Sequence, residues 1–337
     1  MRRTDVDADV VDAAMATILE GEATDAQIAA FGVALRAKGE TPTELATLVR
    51  TMLRYSGSVS VASEADAGPL IDTCGTGGDR SHTFNISTTA ALIAAGVGVR
   101  VAKHGNRAAS SACGSADVLE ALGVVIDLDG PGVARCIDEV GMGFCFAQKF
   151  HPAMRFAGPA RSQIGVPTTF NFLGPLANPA GVKRQVVGVG DPAMAERVAA
   201  TLAELGATRA MVFFGHDGLD ELTTLDTSTA IHVRDGELTR ESIEPIEFGL
   251  PRASGDDLRG GDATTNAAIL RGVLTGDEGP RRDVALLNAS AALQVAEVAE
   301  SWVEGVRLAA AAIDDGRATA VLDRWIALSQ AIAGESS

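Results

Sequence analysis

The sequence has few positive charges, few aromatic residues and few cysteines, and each shortage argues against a class of protein. Lys and Arg number 28 against 44 Asp and Glu, so the net charge of −16 argues against general binding to nucleic acid or anionic membrane. The four cysteines show no CxxC spacing, which predicts buried, reduced thiols rather than a metal site or a disulfide framework. No long apolar run, signal peptide or lipidation motif is present, and we therefore expect a cytoplasmic protein.

Hydrophobic residues make up 46% of the chain, and their pattern changes along it. Thr24 with Gln27 and Thr41 with Glu44 form capping boxes, and apolar stripes predict helices throughout roughly the first 65 residues. From Leu70 onward, short apolar strands alternate with helical segments, as in a parallel sheet with crossover helices. The predicted fold class is α/β, with a small N-terminal helical domain and a larger α/β domain whose mostly parallel central sheet is flanked by helices.

The predicted strands set the domain boundaries. They cover residues 70–73, 99–102, 143–147, 185–190 and 210–214, and a hairpin at a sheet edge follows around Asp235-Gly236. Prolines interrupt residues 150–179, and we expect this segment to cross back to the helical domain. We therefore place the helical domain at 1–66, joined by roughly 152–182, and the α/β domain at 67–151 and 183–337.

A glycine-rich loop, Gly75-Thr-Gly-Gly-Asp79, directly follows the first predicted strand. Its glycines let several backbone N–H groups turn toward one point, and a helix that begins near Ser87 adds the positive end of its dipole there. A Walker A loop would need Gly followed by Lys where Arg80-Ser81 stands, and a dinucleotide fingerprint would need a third Gly at Arg80. The loop therefore predicts a different kind of phosphate site.

Loops that follow neighbouring parallel strands meet at one edge of a sheet. Residues 75–79, 85–88, 103–111 and Ser115 are therefore predicted to surround one polyanion. They offer more hydrogen-bond donors than a single phosphate needs. The pattern favours a ligand that has phosphates at two ends and hydroxyl groups between them.

Several motifs, in this order along nearly the whole chain, resemble those of the anthranilate phosphoribosyltransferase family. They are Gly75-Thr-Gly-Gly-Asp79, Asn85-Ile-Ser-Thr88, Lys103-His-Gly-Asn-Arg107, Gly114-Ser-Ala-Asp-Val-Leu-Glu-Ala-Leu-Gly123, His151-Pro-Ala-Met154, Arg161, Phe170-Asn-Phe-Leu-Gly-Pro-Leu-Ala-Asn-Pro179 and Asp217-Gly-Leu-Asp-Glu221. The resemblance implies transfer of the 5-phosphoribosyl group from phosphoribosyl pyrophosphate (PRPP) to the amine of anthranilate, in tryptophan biosynthesis. It also implies Mg²⁺ as cofactor, a homodimer formed through the helical domain, and an acceptor site between the two domains.

The resemblance assigns site residues in three groups. The donor, PRPP, is expected to contact Gly75, Gly78, Asp79, Thr83, Asn85, Ile86, Ser87, Thr88, Lys103, His104, Gly105, Asn106, Arg107, Ser110, Ser111 and Ser115. The acceptor, anthranilate, is expected to contact Gly75, His104, Asn106, His151, Met154, Arg161 and Pro175. The metal is expected on Ser87, Asp220 and Glu221.

The chemistry of these side chains fits the assignments, although each has a simpler alternative. Asp220 and Glu221 offer the oxygen ligands that Mg²⁺ prefers, but adjacent acids are also common in solvated turns. The planar fork of Arg161 suits a carboxylate, but a surface helix arginine has the same spacing. His104 is compatible with a structural role. No general acid or base is assigned, because the amine of anthranilate is neutral at physiological pH.

Other parts of the pattern stay open at this stage. Asp217, Arg80 and His82 are left unassigned, and Gln148-Lys149 and the stretch from Phe156 depart from the family pattern on the acceptor side. Pyrimidine nucleoside phosphorylases share the fold and some motifs, but the Asp220-Glu221 pair favours a metal-held pyrophosphate and hence the transferase. A non-catalytic binding paralogue is the third hypothesis, and the presence of all the polar site residues opposes it.

Overall fold

A computed structural model describes residues 4–79, 81–108 and 112–335. The α-helices are α1 (Ala8–Leu19), α2 (Asp25–Lys38), α3 (Pro42–Arg54), α4 (Glu64–Ala67), α5 (Ile86–Val97), α6 (Ser115–Leu122), α7 (Gly130–Val140), α8 (Ala147–Phe150), α9 (Gly158–Ile164), α10 (Phe170–Leu173), α11 (Pro192–Glu204), α12 (Ala263–Leu274), α13 (Pro280–Val295), α14 (Trp302–Asp314) and α15 (Arg317–Glu335). The strands are β1 (Leu70–Gly75), β2 (Arg100–Gly105), β3 (Met142–Phe146), β4 (Arg184–Gly188), β5 (Arg209–Gly215), β6 (Ser228–Arg234) and β7 (Glu237–Ile243).

The strands of the described ranges form one seven-stranded sheet in the order β3-β2-β1-β4-β5-β6-β7. The strands from β3 to β5 in this order pair in parallel, and the β6–β7 hairpin pairs antiparallel with β5 and closes that edge. The predicted α/β class with a mostly parallel sheet is therefore confirmed. Because β1 lies between β2 and β4, successive connections leave it in opposite directions, and this is where an open α/β sheet forms a crevice.

Two strands extend beyond their predicted ends, and this changes where site residues lie. β2 was predicted to end before Lys103 and His104, yet both residues lie within it, paired with Phe144 and Cys145 of β3. β1 likewise runs to Gly75, which pairs with Gly188 of β4. The side chains of Lys103 and His104 therefore project from the sheet and not from a loop.

The N-terminal helices begin where the sequence predicts. The side chains of Thr24 and Thr41 each accept a hydrogen bond from the backbone nitrogen three residues later. The side chains of Gln27 and Glu44 in turn accept one from the backbone nitrogen of the cap residue. These helices share a hydrophobic core with residues 157–177 and with one face of the sheet, through side chains such as Leu45, Phe170 and Val187. The segment after β3 thus packs against the N-terminal helices, whereas the division into two domains stays a prediction.

The other face of the sheet is covered by α5, α13 and α15. Leu92, Leu287 and Trp325, one from each helix, are buried there in the largest hydrophobic core. The four cysteine thiols are also buried, as the sequence predicts. In the part of the chain that is described, no helix combines the length and the apolar character needed to cross a membrane.

Candidate active site

The glycine loop that follows β1 is shaped by close contact with Asp220. Gly77 and Gly78 have φ values of 66° and 85°, a left-handed backbone conformation that favours glycine. The backbone nitrogen of Gly77 donates a hydrogen bond to Oδ2 of Asp220 at 2.7 Å. At Gly75 a Cβ atom would lie 2.5 Å from the same carboxylate oxygen. The loop and Asp220 therefore fit together only because Gly75 has no side chain.

Asp220 and Glu221 are partly buried and adjacent, and both are hard to ionise. Burial, with the negative charge of Asp79, raises the pKa of Asp220 to about 7. Burial, with the charge of Asp220, raises the pKa of Glu221 well above its usual value. Oε1 of Glu221 accepts a hydrogen bond from the backbone nitrogen of Ser87 at 3.2 Å, at the start of α5. The predicted metal ligands Ser87, Asp220 and Glu221 thus lie together.

Asp217, which the sequence left unassigned, has a structural contact instead. Its carboxylate accepts hydrogen bonds from the Thr223 hydroxyl at 2.7 Å and from the backbone nitrogen of Leu219 at 3.3 Å. These bonds close the turn after β5 that presents Asp220 and Glu221. Asp217 therefore stabilises the turn that positions the acidic pair.

Lys103 is a buried cation that interacts electrostatically with the acidic pair. It is 1% exposed, and its ammonium group donates to the backbone oxygen of Thr73 and, at 3.3 Å, to the Ser87 hydroxyl. Burial lowers the pKa of Lys103, and the carboxylates around it oppose that shift. The sequence predicted a phosphate contact for Lys103, and the structure places its charge below the surface, against Ser87 and within the electrostatic reach of Glu221.

The other predicted donor residues of the first motifs lie where the glycine loop meets α5. Gly78 and Asp79 belong to the loop, and the Asp79 carboxylate accepts from the Ser81 hydroxyl at 2.6 Å. Thr83 forms an isolated antiparallel bridge with Arg259. Ile86 and Thr88 are buried within α5, and the Thr88 hydroxyl has no hydrogen-bond partner among the described residues.

The remaining predicted donor contacts run from the end of β2 to the first residue of α6. Gly105 and Ser115 are in close approach, since a Cβ at Gly105 would lie 2.2 Å from the Ser115 hydroxyl oxygen. Arg107 is engaged within the protein: its guanidinium pairs with Asp117 at 3.0 Å and with Glu120, and it lies over the Phe146 ring. The predicted contacts Ser110 and Ser111 lie outside the described residues.

A cavity of about 580 Å³ opens between the end of β1, the end of β2 and the segment that follows β3. All seven residues that the resemblance assigns to the acceptor line it: Gly75, His104, Asn106, His151, Met154, Arg161 and Pro175. Met52 of α3 and Phe170 and Asn171 of α10 also line it, and the sequence analysis did not assign them. Met52 lies on an ordinary apolar helix stripe, so no local signal could have identified it.

His104 and His151 form a buried pair in the cavity wall, with ring centroids 5.1 Å apart. Nδ1 of His104 lies 2.9 Å from the Gly174 carbonyl, and Nε2 of His151 lies 2.9 Å from the Ala177 carbonyl, so each of these nitrogens carries the proton. The second nitrogen of each ring is buried and has no partner among the described residues. Burial lowers the pKa of His104 to about 3 and that of His151 to about 4, so both rings are neutral.

Arg161, at the wall of the same cavity, has no carboxylate partner in the described part of the chain. Its side chain is half-buried, and burial lowers the pKa of its guanidinium. No other charge contributes to that shift. A half-buried guanidinium beside a cavity is a favourable site for a carboxylate ligand.

Asn106 lies at the junction of the donor loops and the cavity. Its side-chain oxygen accepts from the backbone nitrogen of Arg107 at 2.8 Å and from Nε2 of Gln148 at 3.3 Å. Gln148, noted in the sequence as a departure from the family pattern, therefore contacts a residue that is expected to contact both substrates. An acceptor that approaches Asn106 meets its amide group together with that of Gln148.

Comparisons with known proteins give consistent results over nearly the whole chain. Residues 1–56 match the helical bundle domain of a glycosyl transferase family, and residues 67–319 match its a/b domain. The anthranilate phosphoribosyltransferase of Chloroflexus aggregans is 54% identical over 318 residues, which cover 94% of this chain and 92% of the relative.

Solved structures of similar proteins show the same fold. An anthranilate phosphoribosyltransferase from Thermus thermophilus has a TM-score of 0.91 and 41% identity, with 97% of each chain covered. That of Saccharomyces cerevisiae, in complex with PRPP and Mg, has a TM-score of 0.88 and 27% identity, with 96% of this chain and 94% of the yeast chain covered.

Proposed function

The chain belongs to the anthranilate phosphoribosyltransferase family, and we propose that it transfers the 5-phosphoribosyl group of PRPP to the amine of anthranilate, in tryptophan biosynthesis. The products are N-(5-phosphoribosyl)-anthranilate and pyrophosphate. One observation carries the assignment of the acceptor side: a single cavity brings together Arg161, without a carboxylate partner among the described residues, and the six other residues expected to contact anthranilate.

Arg161 and the two histidines of the cavity wall have separate parts in binding anthranilate. The Arg161 guanidinium is placed to bind the carboxylate, with its planar fork matching the two oxygens. The neutral rings of His104 and His151 form part of the wall around the aromatic ring, while their unprotonated nitrogens are buried. Because both rings are neutral, they add no positive charge beside the cationic ribose of the transition state.

The donor side is proposed to hold PRPP between the glycine loop, the start of α5 and the loop after β2. Backbone N–H groups of the loop and of the helix start supply uncharged donors to phosphate oxygens. Lys103 lies below Ser87 and compensates part of the negative charge that the acidic pair and pyrophosphate bring together. This arrangement reduces the need for exposed cations on a strongly acidic protein.

The residues present fit a magnesium ion. Asp220 and Glu221 are two oxygen ligands with raised pKa values, and a divalent cation bound between them would relieve their repulsion. Two carboxylates suffice for Mg²⁺, because this ion keeps waters and takes phosphate oxygens as further ligands. When bound, it would neutralise charge on the departing pyrophosphate.

The chain's own residues act mainly by orientation. The bond from C1 of the ribose to pyrophosphate oxygen breaks, the amine nitrogen forms the new bond to C1, and the amine then loses a proton. Asn106 directs the amine toward C1, and Arg161 fixes the ring by its carboxylate. A neutral aromatic amine needs no strong base to attack a cationic centre, so no general base is assigned.

Three organisational features are part of the proposal. The first is a helical domain of residues 1–66 joined by roughly 152–182, beside an α/β domain of 67–151 and 183–337, and the packing of residues 157–177 on the N-terminal helices supports it. A homodimer through the helical domain is supported by the exposed side chains of Val10 and Val33, which are 56% and 42% exposed on α1 and α2. A cytoplasmic location is supported by four buried cysteine thiols, which suit a reducing compartment.

The experiment that tests the function follows the fluorescence of anthranilate with purified protein, PRPP and Mg²⁺. We expect the signal to disappear in the complete mixture and to persist when either PRPP or Mg²⁺ is left out. If the signal persists in the complete mixture while calorimetry still shows PRPP binding, the assignment of anthranilate as acceptor is contradicted. The assignment of the donor site then stands.

A further inference from the structure

The side chain of Asn85, one of the predicted donor contacts, is held on both sides by the protein itself. Its Nδ2 donates to the Cys113 carbonyl at 3.2 Å, and its Oδ1 accepts from Nδ2 of Asn266 at 3.0 Å. Asn85 precedes the first residue of α5, and its backbone oxygen accepts the hydrogen bond from the Thr89 nitrogen. The orientation of Asn85 is therefore linked to the start of the helix that faces the donor site.

Asn266 is a buried residue of α12 that neither the sequence analysis nor the proposed mechanism uses. It is 1% exposed, and its Oδ1 accepts from the backbone nitrogen of Gly261 at 2.7 Å. Because that oxygen is taken by Gly261, the amide of Asn266 must direct its NH₂ group toward Asn85. This in turn fixes Asn85 with its oxygen toward Asn266 and its NH₂ group toward Cys113.

The segment before α12 is joined to the donor loop by backbone hydrogen bonds as well. The Gly260 nitrogen donates to the His82 carbonyl at 2.9 Å, and the Phe84 nitrogen donates to the Leu258 carbonyl at 3.1 Å. A Cβ at Gly260 would lie 2.6 Å from Oδ1 of Asn266 and 2.8 Å from the Phe84 backbone, so the three segments are closely packed. Asn266 bonds to Asn85 at the point where this loop meets the first residue of α5.

We propose that Asn266 is a positioning residue for PRPP, which acts through Asn85 and touches neither substrate. The inference rests on the proposed function, since it names the donor. Loss of the Asn266 contact lets the Asn85 amide rotate and loosens the junction of the glycine loop with α5. The acceptor cavity is not lined by Asn266, Asn85 or the segment before α12. Loss of the Asn266 contact is therefore expected to leave anthranilate binding unchanged.

The test compares Asn266→Asp with wild type. The aspartate keeps an oxygen for the Gly261 nitrogen but presents a second oxygen to Oδ1 of Asn85, where wild type has a donor. We expect KM for PRPP to rise about tenfold, as for loss of a buried hydrogen bond, with KM for anthranilate within about twofold of wild type. Calorimetric titration with PRPP and Mg²⁺, without anthranilate, is expected to show the same weakening.

Two further variants keep the test decisive. Asn266→Ala removes the contact without adding charge and decides the question if the aspartate variant does not fold. Ser329→Ala, in α15, is the control for a buried hydrogen bond elsewhere, since the Ser329 hydroxyl accepts from the Val125 nitrogen at 3.1 Å. An inactive wild type would contradict the proposed function. An active wild type, with Asn266 variants that change both KM values equally or match Ser329→Ala, would overturn the positioning role.

Discussion

The carboxylate of Asp220 accepts a hydrogen bond from the backbone nitrogen of Gly77 at 2.7 Å. This bond joins the glycine loop after β1 to the acidic turn after β5. The proposed phosphate donors and the proposed metal ligands therefore form one unit, and a change in the loop is expected to reach the metal.

Gly75→Ala is expected to weaken magnesium binding. The new Cβ would lie 2.5 Å from Oδ2 of Asp220, a distance that real Cβ contacts do not show, so the carboxylate has to move. We expect at least about a tenfold loss in kcat/KM and a higher Mg²⁺ concentration for half-maximal activity. Gly158→Ala is the matched control, because a Cβ there meets no atom within 4 Å. A normal magnesium titration for Gly75→Ala would show that Asp220 is not a ligand.

Asp220→Asn combined with Glu221→Gln is expected to remove most activity and the response to magnesium. The double variant keeps the shape of both side chains and loses the negative charge that holds a hard cation. The measurement is the initial rate as a function of Mg²⁺ concentration. The exposed pair Asp314→Asn with Asp315→Asn serves as control. If the double site variant follows the wild-type magnesium curve, the metal is held elsewhere.

Stability and magnesium binding are expected to depend on pH in opposite directions. The pKa of Asp220 is raised from 3.8 to about 7 in the folded chain, so between these values the folded state holds a proton that the unfolded state has lost. Stability without metal therefore falls as pH rises from about 4 to about 7. Mg²⁺ needs the ionised carboxylate, so its stabilising effect grows over the same range.

Thermal melts with and without Mg²⁺ at pH 6 and pH 8 test this pH dependence. We expect the increase in Tm caused by Mg²⁺ to be larger at pH 8, because at pH 6 about nine in ten Asp220 side chains are protonated at a pKa of about 7. Equal increases at the two values would mean that Asp220 is ionised throughout and that its pKa is not raised.

Arg161→Ala is expected to raise KM for anthranilate far more than KM for PRPP. The guanidinium is the proposed partner of the anthranilate carboxylate, and loss of a charged hydrogen-bond pair costs about tenfold or more in affinity. Steady-state kinetics with each substrate varied in turn gives the two values. Arg135→Ala, on the exposed side of α7, controls for loss of one positive charge. Equal effects on both KM values would remove Arg161 from the acceptor role.

Local signals in the sequence located most of the fold. Capping boxes at Thr24 and Thr41 fixed two helix starts, because the bonds they make lie within four residues. The parallel strands were recognisable from short apolar runs. Their ends were not, because β2 continues through Lys103 and His104 only where β3 lies alongside to pair with it. Pairing between distant segments leaves no local pattern.

The site, too, divides into features with a local sequence pattern and features that depend on contacts between distant segments. The glycine loop and the acidic pair were found from motifs, and the acceptor residues from the family resemblance. The contact between Asn85 and Asn266 could not be predicted, because an isolated asparagine in an ordinary helix has no distinguishing neighbours. The engagement of Arg107 by Asp117 and Glu120 was likewise invisible, since it depends on how the loop after β2 folds back onto α6.

The acceptor wall and the donor loops come from different parts of the chain. Most of it comes from one uninterrupted stretch, residues 147–175, whereas the donor loops come from separate strands of the sheet. Exchange of that stretch in one recombination event would replace the surface that meets the aromatic ring and leave the phosphate loops in place. A protein divided in this way can come to bind a different nucleophile while it still binds the phosphoribosyl donor. It is therefore a suitable starting point for laboratory evolution of other N-ribosylating catalysts.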